Sequence, residues 1–328
     1  MPMGMEHTAQ KGAGGFFALE GDEYPSAHDD FRAKFLHYRP HDVILTSLIH
    51  DHVNIYPTLE LYLEPFRKLT HDLAADGLLL ACIDNGDTLP LLAETPARAL
   101  TYSLENARAT WHARDITFGE TTSFTLMRGH DPIATLKTRL LGAHNVQNIL
   151  GAAAYLLERE LVSASELRQA IASFQGIARR LDKKTTHARV PAYEGFGSSD
   201  AKARSAIEAL RLHFPDRRLL VVFEPHTFSW RNRAMAHWYE ATFRDVPELI
   251  IYHSAGQGKN AEQELTPDEI HERLADTGTH AQRAMTPAET LSIFEQTVRP
   301  EDVVLLLSSG AMDGLAEAIP RWLDDHMV

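Results

Sequence analysis

Six short apolar runs recur along the chain, and each is unbroken rather than alternating. They are "GFFALE" (15–20), "DVILTSLI" (42–49), "GLLLACID" (77–84), "RLLVVFE" (218–224), "ELIIYHS" (248–254) and "DVVLLLSS" (302–309). A strand with one wet face alternates polar and apolar side chains, so continuous runs call for a sheet covered on both sides. The intervening stretches have helical spacing: Thr58 to Asp76, Asn145 to Glu160, Ser165 to Phe174, Asp200 to His213, Trp230 to Phe243, Pro267 to Asp276, Ala288 to Val298 and Met312 to Asp325. Thr266 before Pro267, and Thr286 before Pro287, give an N-cap followed by a first-turn proline. Strands alternating with helices predict an α/β fold with mostly parallel sheets.

The middle of the chain reads differently. From Leu100 to Leu141, pieces such as "ITFGE", "TSFTLMRG" and "IATLKTRLL" alternate polar and apolar residues. They predict short antiparallel strands turning at Gly119 and Gly129. A basic, polar stretch with Pro191, "RRLDKKTTHARVPAY" (179–193), separates this part from a fresh strand–helix series. The expected organisation is a flexible leader over 1–15, one domain over 16–182 and a second over 183–328.

Bulk properties narrow the function classes. Hydrophobic residues make up 44% of 328 residues, enough for two cores. The formal charge of −13 disfavours nucleic acid and anionic membrane as partners. Cys82 is the single cysteine, so no disulfide framework is possible, which fits a reducing cytoplasm. No apolar run reaches the ~18 residues of a membrane span, and the first fifteen residues lack the apolar core of a signal peptide. The 18 histidines include no H-E-x-x-H and no paired Cys/His set, which argues against structural zinc.

Three groups of residues carry candidate chemistry. Glu20 ends the first apolar run, and Asp51-His52 follow the second. Ligands gather beyond the carboxyl ends of parallel strands, so Glu20 and His52 are a candidate Mg²⁺ pair, although imidazole is an unusual ligand for so hard an ion. Equally, Glu20 and Asp22 fit as residues that end a strand and cap the next turn. Asn145 and Asn148 share one face of a helix's first turn, where their amides fit a base edge; N-capping by Asn145 fits too. Arg179 and Arg180 leave a helix at the domain junction, suited to a phosphate or ribose and equally to a helix C-terminus.

Together, "LEGDEY", "DFRAKFLHYRPHDVILTSLIHDHVNIYPTL", "GAHNVQN" and "FQGIARRLD" resemble the Mur ligase family in order and spacing, the tripeptide-ligase branch most of all. "LLVVFEPHTFSWR" (219–231) and "LLLSSGAMDGL" (305–315) resemble that family's terminal domain. The resemblance implies an incomplete central ATPase-type domain, a mostly parallel sheet plus a small antiparallel sheet, followed by a Rossmann-like C-terminal domain. It implies a carboxylate–amine ligase that uses Mg·ATP and passes through an acyl phosphate. Glu20 and His52 would be metal ligands, Asn145 and Asn148 adenine contacts, and Arg180 an ATP contact from the junction. Glu194, Arg180, His226 and Arg231 would form the catalytic set, the last two in the segment facing the amine.

Departures from the family pattern bear on activity. No G-x-x-x-x-G-K-[ST] occurs: "GAGGFF" (12–17) has no following lysine, and "GQGKN" (256–260) has neither the spacing nor the hydroxyl. "YEGFGSSD" (193–200) keeps one acid, Glu194, and has Ser198, Ser199 and Asp200 where the family has His-His-Pro. Ser47 stands where the family has Asn before the Asp-His pair. The expectation is a ligase, or a subunit of one, that takes its phosphate loop and sugar-binding domain from a partner chain. The alternatives are a non-catalytic binding or scaffolding homologue and an enzyme repurposed for a reaction without ATP. An exposed sheet edge would favour an oligomer.

Overall fold

The computed structural model describes all residues except 1, 4, 6, 51, 53, 54, 85 and 255–263. The "GQGKN" stretch and Asp51 lie outside the described residues. Two six-stranded sheets organise the chain. A small hairpin, β1 (Pro25–Ala27) and β2 (Asp30–Ala33), precedes them. The first sheet contains β3 (Asp42–Leu45), β4 (Leu78–Cys82), β5 (Arg98–Ser103), β6 (Trp111–Thr117), β7 (Thr122–Arg128) and β8 (Asp131–Thr138), in that spatial order. The pairs from β3 to β6 are parallel, and those from β6 to β8 antiparallel. The alternating middle segment therefore continues the parallel sheet through Tyr102 opposite Trp111 instead of standing apart.

The second sheet contains β9 (Asp182–Lys183), β10 (Ala192–Phe196), β11 (Arg218–Phe223), β12 (Glu248–Tyr252), β13 (His280–Ala284) and β14 (Asp302–Ser308). Its order is β13-β12-β11-β14-β10-β9, parallel except for β9. The last strand in sequence lies between β11 and β10. That order reverses the winding beside β14, and such reversals open a crevice at the strands' carboxyl ends.

The unbroken runs are buried on both faces. In β4, Leu79 and Ala81 pack with Phe66 and Leu69 of helix Leu59–His71, whereas Leu80 and Cys82 pack with Val146 and Leu150 of helix Ala143–Glu158. In β14, Val303, Leu305 and Leu307 join one core and Val304 and Leu306 the other. The period-2 geometry of a strand sends alternate side chains to opposite layers, so each layer needs its own helices. Thr266 and Thr286 cap their helices as the sequence predicts, their side chains accepting from the N–H groups of Glu269 and Glu289.

Some expected elements differ. "GFFALE" forms no strand: Phe16, Phe17 and Leu19 are 59%, 72% and 55% exposed. None of the described strands pairs with it, and an apolar run without a ladder has no reason to stay in a sheet. The long helix expected from Trp230 to Phe243 is broken into helix Phe228–Arg231, a 3₁₀ turn at Arg233–Met235 and helix His237–Phe243. Asn232 causes the interruption by accepting from the Ala234 N–H with its side chain, a local bond that competes with helix continuation.

Candidate active site

Four places bear on the expected chemistry. At the first, Glu20 lies in the exposed, strandless segment, and Glu23 rather than Glu20 reaches His52, with Nε2 2.9 Å from Oε1. His52 has φ 54°, in the left-handed region. Tyr56 fastens this corner by donating from its hydroxyl to the Glu23 carbonyl at 2.5 Å. No group of three or more His, Cys, Asp or Glu residues able to hold a metal occurs among the described residues. Glu23 thus takes the contact with His52 that the sequence suggests for Glu20. A strand would have aimed Glu20 toward the carboxyl edge, and there is no strand.

The second place is the start of helix Ala143–Glu158. Gly142 holds φ 93°, and a Cβ there would lie 2.6 Å from Cε1 of His144, so this tight entry needs glycine. The helix is therefore entered three residues before Asn145. Asn145 does not cap it; its Nδ2 donates to the Leu141 carbonyl at 2.8 Å. Asn148 is exposed. Gln147, not singled out in the sequence, donates to Asp84 Oδ2 at 2.9 Å, and Asp84 also accepts from the Leu104 N–H at 2.7 Å. This bond ties the helix to the end of β4. It links residues 63 apart in the chain, which no local pattern reveals.

The junction is the third place. Arg179 and Leu181 take φ values of 64° and 54°, a sharp turn that separates the two arginines. Arg179 Nε donates to Glu194 Oε1 at 2.7 Å, and its Nη2 donates to the Gly310 carbonyl. Lys184 Nζ lies 3.2 Å from Glu194 Oε2. Glu194 is 7% exposed and thus carries a compensated buried charge. Arg180, the residue expected at ATP, lines a cleft whose walls do not include Asn145 or Asn148.

The fourth place is the carboxyl edge of the second sheet. Glu224, directly after β11, is 2% exposed and accepts from the Ser308 hydroxyl at 2.6 Å. His226 Nδ1 stands 3.5 Å from Glu224 Oε1. The ring leaves no room beside Gly310, where a Cβ would lie 2.4 Å from His226 Nδ1. Arg231 turns the other way, donating from Nε to the Thr227 carbonyl at 3.5 Å, with Nη1 3.9 Å from Glu264 Oε1. Gly197 and Ser198 lie against this edge: Thr227 Oγ1 donates to the Ser198 carbonyl at 3.1 Å, and Trp230 Nε1 to the Gly197 carbonyl at 2.8 Å. Bonds join His226, Glu224, Ser308, Gly310, Arg179 and Glu194 into one chain of contacts from strand end to junction. Glu224 is the member that sequence reading passed over, although its position at the end of a buried strand was a usable signal.

Residues 5–156 match the family described as the Mur ligase middle domain. The chain is similar to the Mur ligases over that stretch. It is 27% identical over 314 residues to the UDP-N-acetylmuramate–L-alanine ligase of Desulforapulum autotrophicum, covering 95% of this chain and 67% of that protein. The fold matches the crystal structure of the Thermotoga maritima UDP-N-acetylmuramate–alanine ligase with a TM-score of 0.67 at 16% identity, over 89% of this chain and 61% of that one. The Thermotoga maritima MurF ligase in complex with ADP gives a TM-score of 0.66 at 15% identity, over 87% of this chain and 63% of that one. The curated relatives carry the name of the alanine ligase, so the match supports the Mur ligase family and does not single out its tripeptide branch. The chain spans about two thirds of their length. None of its helices among the described residues is long and apolar enough to cross a membrane.

Proposed function

We propose that this chain acts in an ATP-dependent carboxylate–amine ligation, with a phosphate loop supplied by a partner chain. The reading rests on one observation above all. A Mur ligase middle domain is joined to a second parallel sheet by a hydrogen-bonded junction, Arg179 to Glu194 and Gly310. In such a reaction a carboxylate oxygen takes the γ-phosphoryl group of ATP, leaving ADP. The amine nitrogen then attacks the acyl carbon, loses a proton, and phosphate departs. An acyl phosphate hydrolyses readily, so the two sheets serve best as halves that close over it and exclude water.

Within this reading, Asn148 offers an exposed amide to the adenine, and Asn145 is held beside it by its bond to the Leu141 carbonyl. His226, oriented by Glu224, faces the amine side. Arg179 carries the contact between the halves, and Arg180 is the ATP contact that the resemblance implies. The described residues around Glu20 and His52 include no group of three side chains able to hold a metal. The second reading, a non-catalytic binding subunit, draws on Glu194: its carboxylate is already engaged by Arg179 and Lys184, and Ser198 and Ser199 hold the place of the histidines.

Calorimetry with Mg·ATP separates the two. The ligase reading expects metal-dependent binding that weakens at least tenfold in Asn148→Ala. Equal binding by wild type and variant would remove Asn148 from the nucleotide site, and no binding by either would favour the scaffold.

A further inference from the structure

We propose that the cleft between the two sheets is a second anion site, built for a di- or triphosphate group and separate from the adenine-facing helix. The cleft encloses about 460 Å³. Lys137 and Arg139 enter it from the end of β8, and Arg180 and Lys183 from the junction and β9, with Tyr193 also in the wall. Two acids, Glu120 and Asp182, also line it. Among the described residues none of the four cations is ion-paired. Arg139 Nη1 donates to the neutral Gln175 Oε1 at 2.7 Å, and Asp182 has Lys184, from outside the cleft, 3.8 Å away.

Charge and shape give the ligand class. Four unpaired cations converge in one recess on a chain whose net charge is −13. Crowded like charges repel, and a bound anion relieves that repulsion while gaining contact with each. A single carboxylate fills one guanidinium fork and leaves the other cations unmatched. A di- or triphosphate spreads several charged oxygens over the width of the cleft, and Thr121 supplies a hydroxyl in the same wall. The volume falls within the ordinary range for small-ligand sites. Because Lys137 and Arg139 belong to the first sheet and Lys183 to the second, a bound polyphosphate would also bridge the two halves.

The site does not depend on the ligase reading. The experiment is calorimetry on the full chain with inorganic pyrophosphate and tripolyphosphate, without nucleotide or metal. Orthophosphate and citrate serve as comparison anions. We expect saturable one-to-one binding, weakened at least tenfold in the Lys137→Glu/Arg139→Glu double variant and less in Lys137→Gln/Arg139→Gln. Both side chains are exposed, and an unchanged thermal transition for the glutamine pair keeps a folding defect from imitating the result. Absence of saturable pyrophosphate binding, or equal binding by the double variant, overturns the site. Citrate binding as tightly as tripolyphosphate overturns the phosphate assignment. Loss of Mg·ATP binding in Asn148→Ala with pyrophosphate binding intact would keep the two sites apart.

Discussion

The first and the last apolar runs of this chain look alike as sequence and end in opposite environments. In "DVVLLLSS", Val304, Leu305, Leu306 and Leu307 are fully buried between β11 and β10. In "GFFALE", Phe16, Phe17 and Leu19 are more than half exposed and pair with nothing among the described strands. Apolar composition supplies the drive to leave water, but a strand also needs a ladder on at least one side and helices over its faces. The second sheet provides both, whereas the first begins at β3 and offers "GFFALE" neither.

Mutations test that contrast, starting where burial is deepest. Arg218 binds Asp302 through two nitrogens at 2.7 and 2.8 Å and also reaches Glu248 at 2.8 Å. Asp302 has no exposed surface, so Arg218→Ala leaves a buried charge without its guanidinium. It should cost about 3–5 kcal/mol in urea unfolding. Leu306→Ala in β14 should cost about 2–5 kcal/mol by the same measurement, and Phe17→Ala no more than about 0.5 kcal/mol. A large loss from Phe17→Ala would show that the first run is packed after all.

A smaller effect concerns the contact between the halves. His213, at the end of helix Asp200–His213, accepts from the Gly142 N–H with Nε2 at 2.8 Å, and its Nδ1 donates to the Gly119 carbonyl at 2.6 Å. Both bonds together require the neutral ring with its proton on Nδ1. Phe118, Phe214 and His144 face it. Burial pushes its pKa below the ordinary 6.5, partly opposed by the bond to Gly119. The unfolded chain therefore binds the proton more readily, and stability rises with pH through this window. It is fully present above about pH 6.5 and lost as pH falls through the lowered value. Unfolding followed between pH 7.5 and 5 should show a loss of about 1–2 kcal/mol, absent in His213→Leu. An identical pH profile in that variant would place the titration elsewhere. A small effect is also expected at the corner beside the first run. Glu23→Gln removes a pair with His52 whose side chains are 25% and 27% exposed, and should cost at most about 1 kcal/mol, with no change in Glu20→Gln.

Local patterns were the legible part. Thr266 and Glu269 lie three residues apart and form a reciprocal cap, and the unbroken runs of β4, β11, β12 and β14 show their two-sided burial in composition alone. The candidate site was legible as segments and not as contacts. "GAHNVQN" marked the helix entry, but Gly142 rather than Asn145 shapes it. "RRLD" marked the junction, but a left-handed turn at Arg179 decided which arginine meets Glu194 and which turns into the cleft. Glu23 rather than Glu20 meets His52, because the chain there follows a hairpin instead of a strand.

The sequence by itself determined the layered α/β architecture, the helix caps and the resemblance to Mur ligases. Those depend on periodicity and on short-range hydrogen bonds, which are written in neighbouring residues. Only the tertiary structure decided that β14 lies between β11 and β10, that Glu224 stands buried beside His226, and that four cations share one cleft. Those depend on residues far apart in the chain arriving at one point, and no local pattern records where the other partner will be.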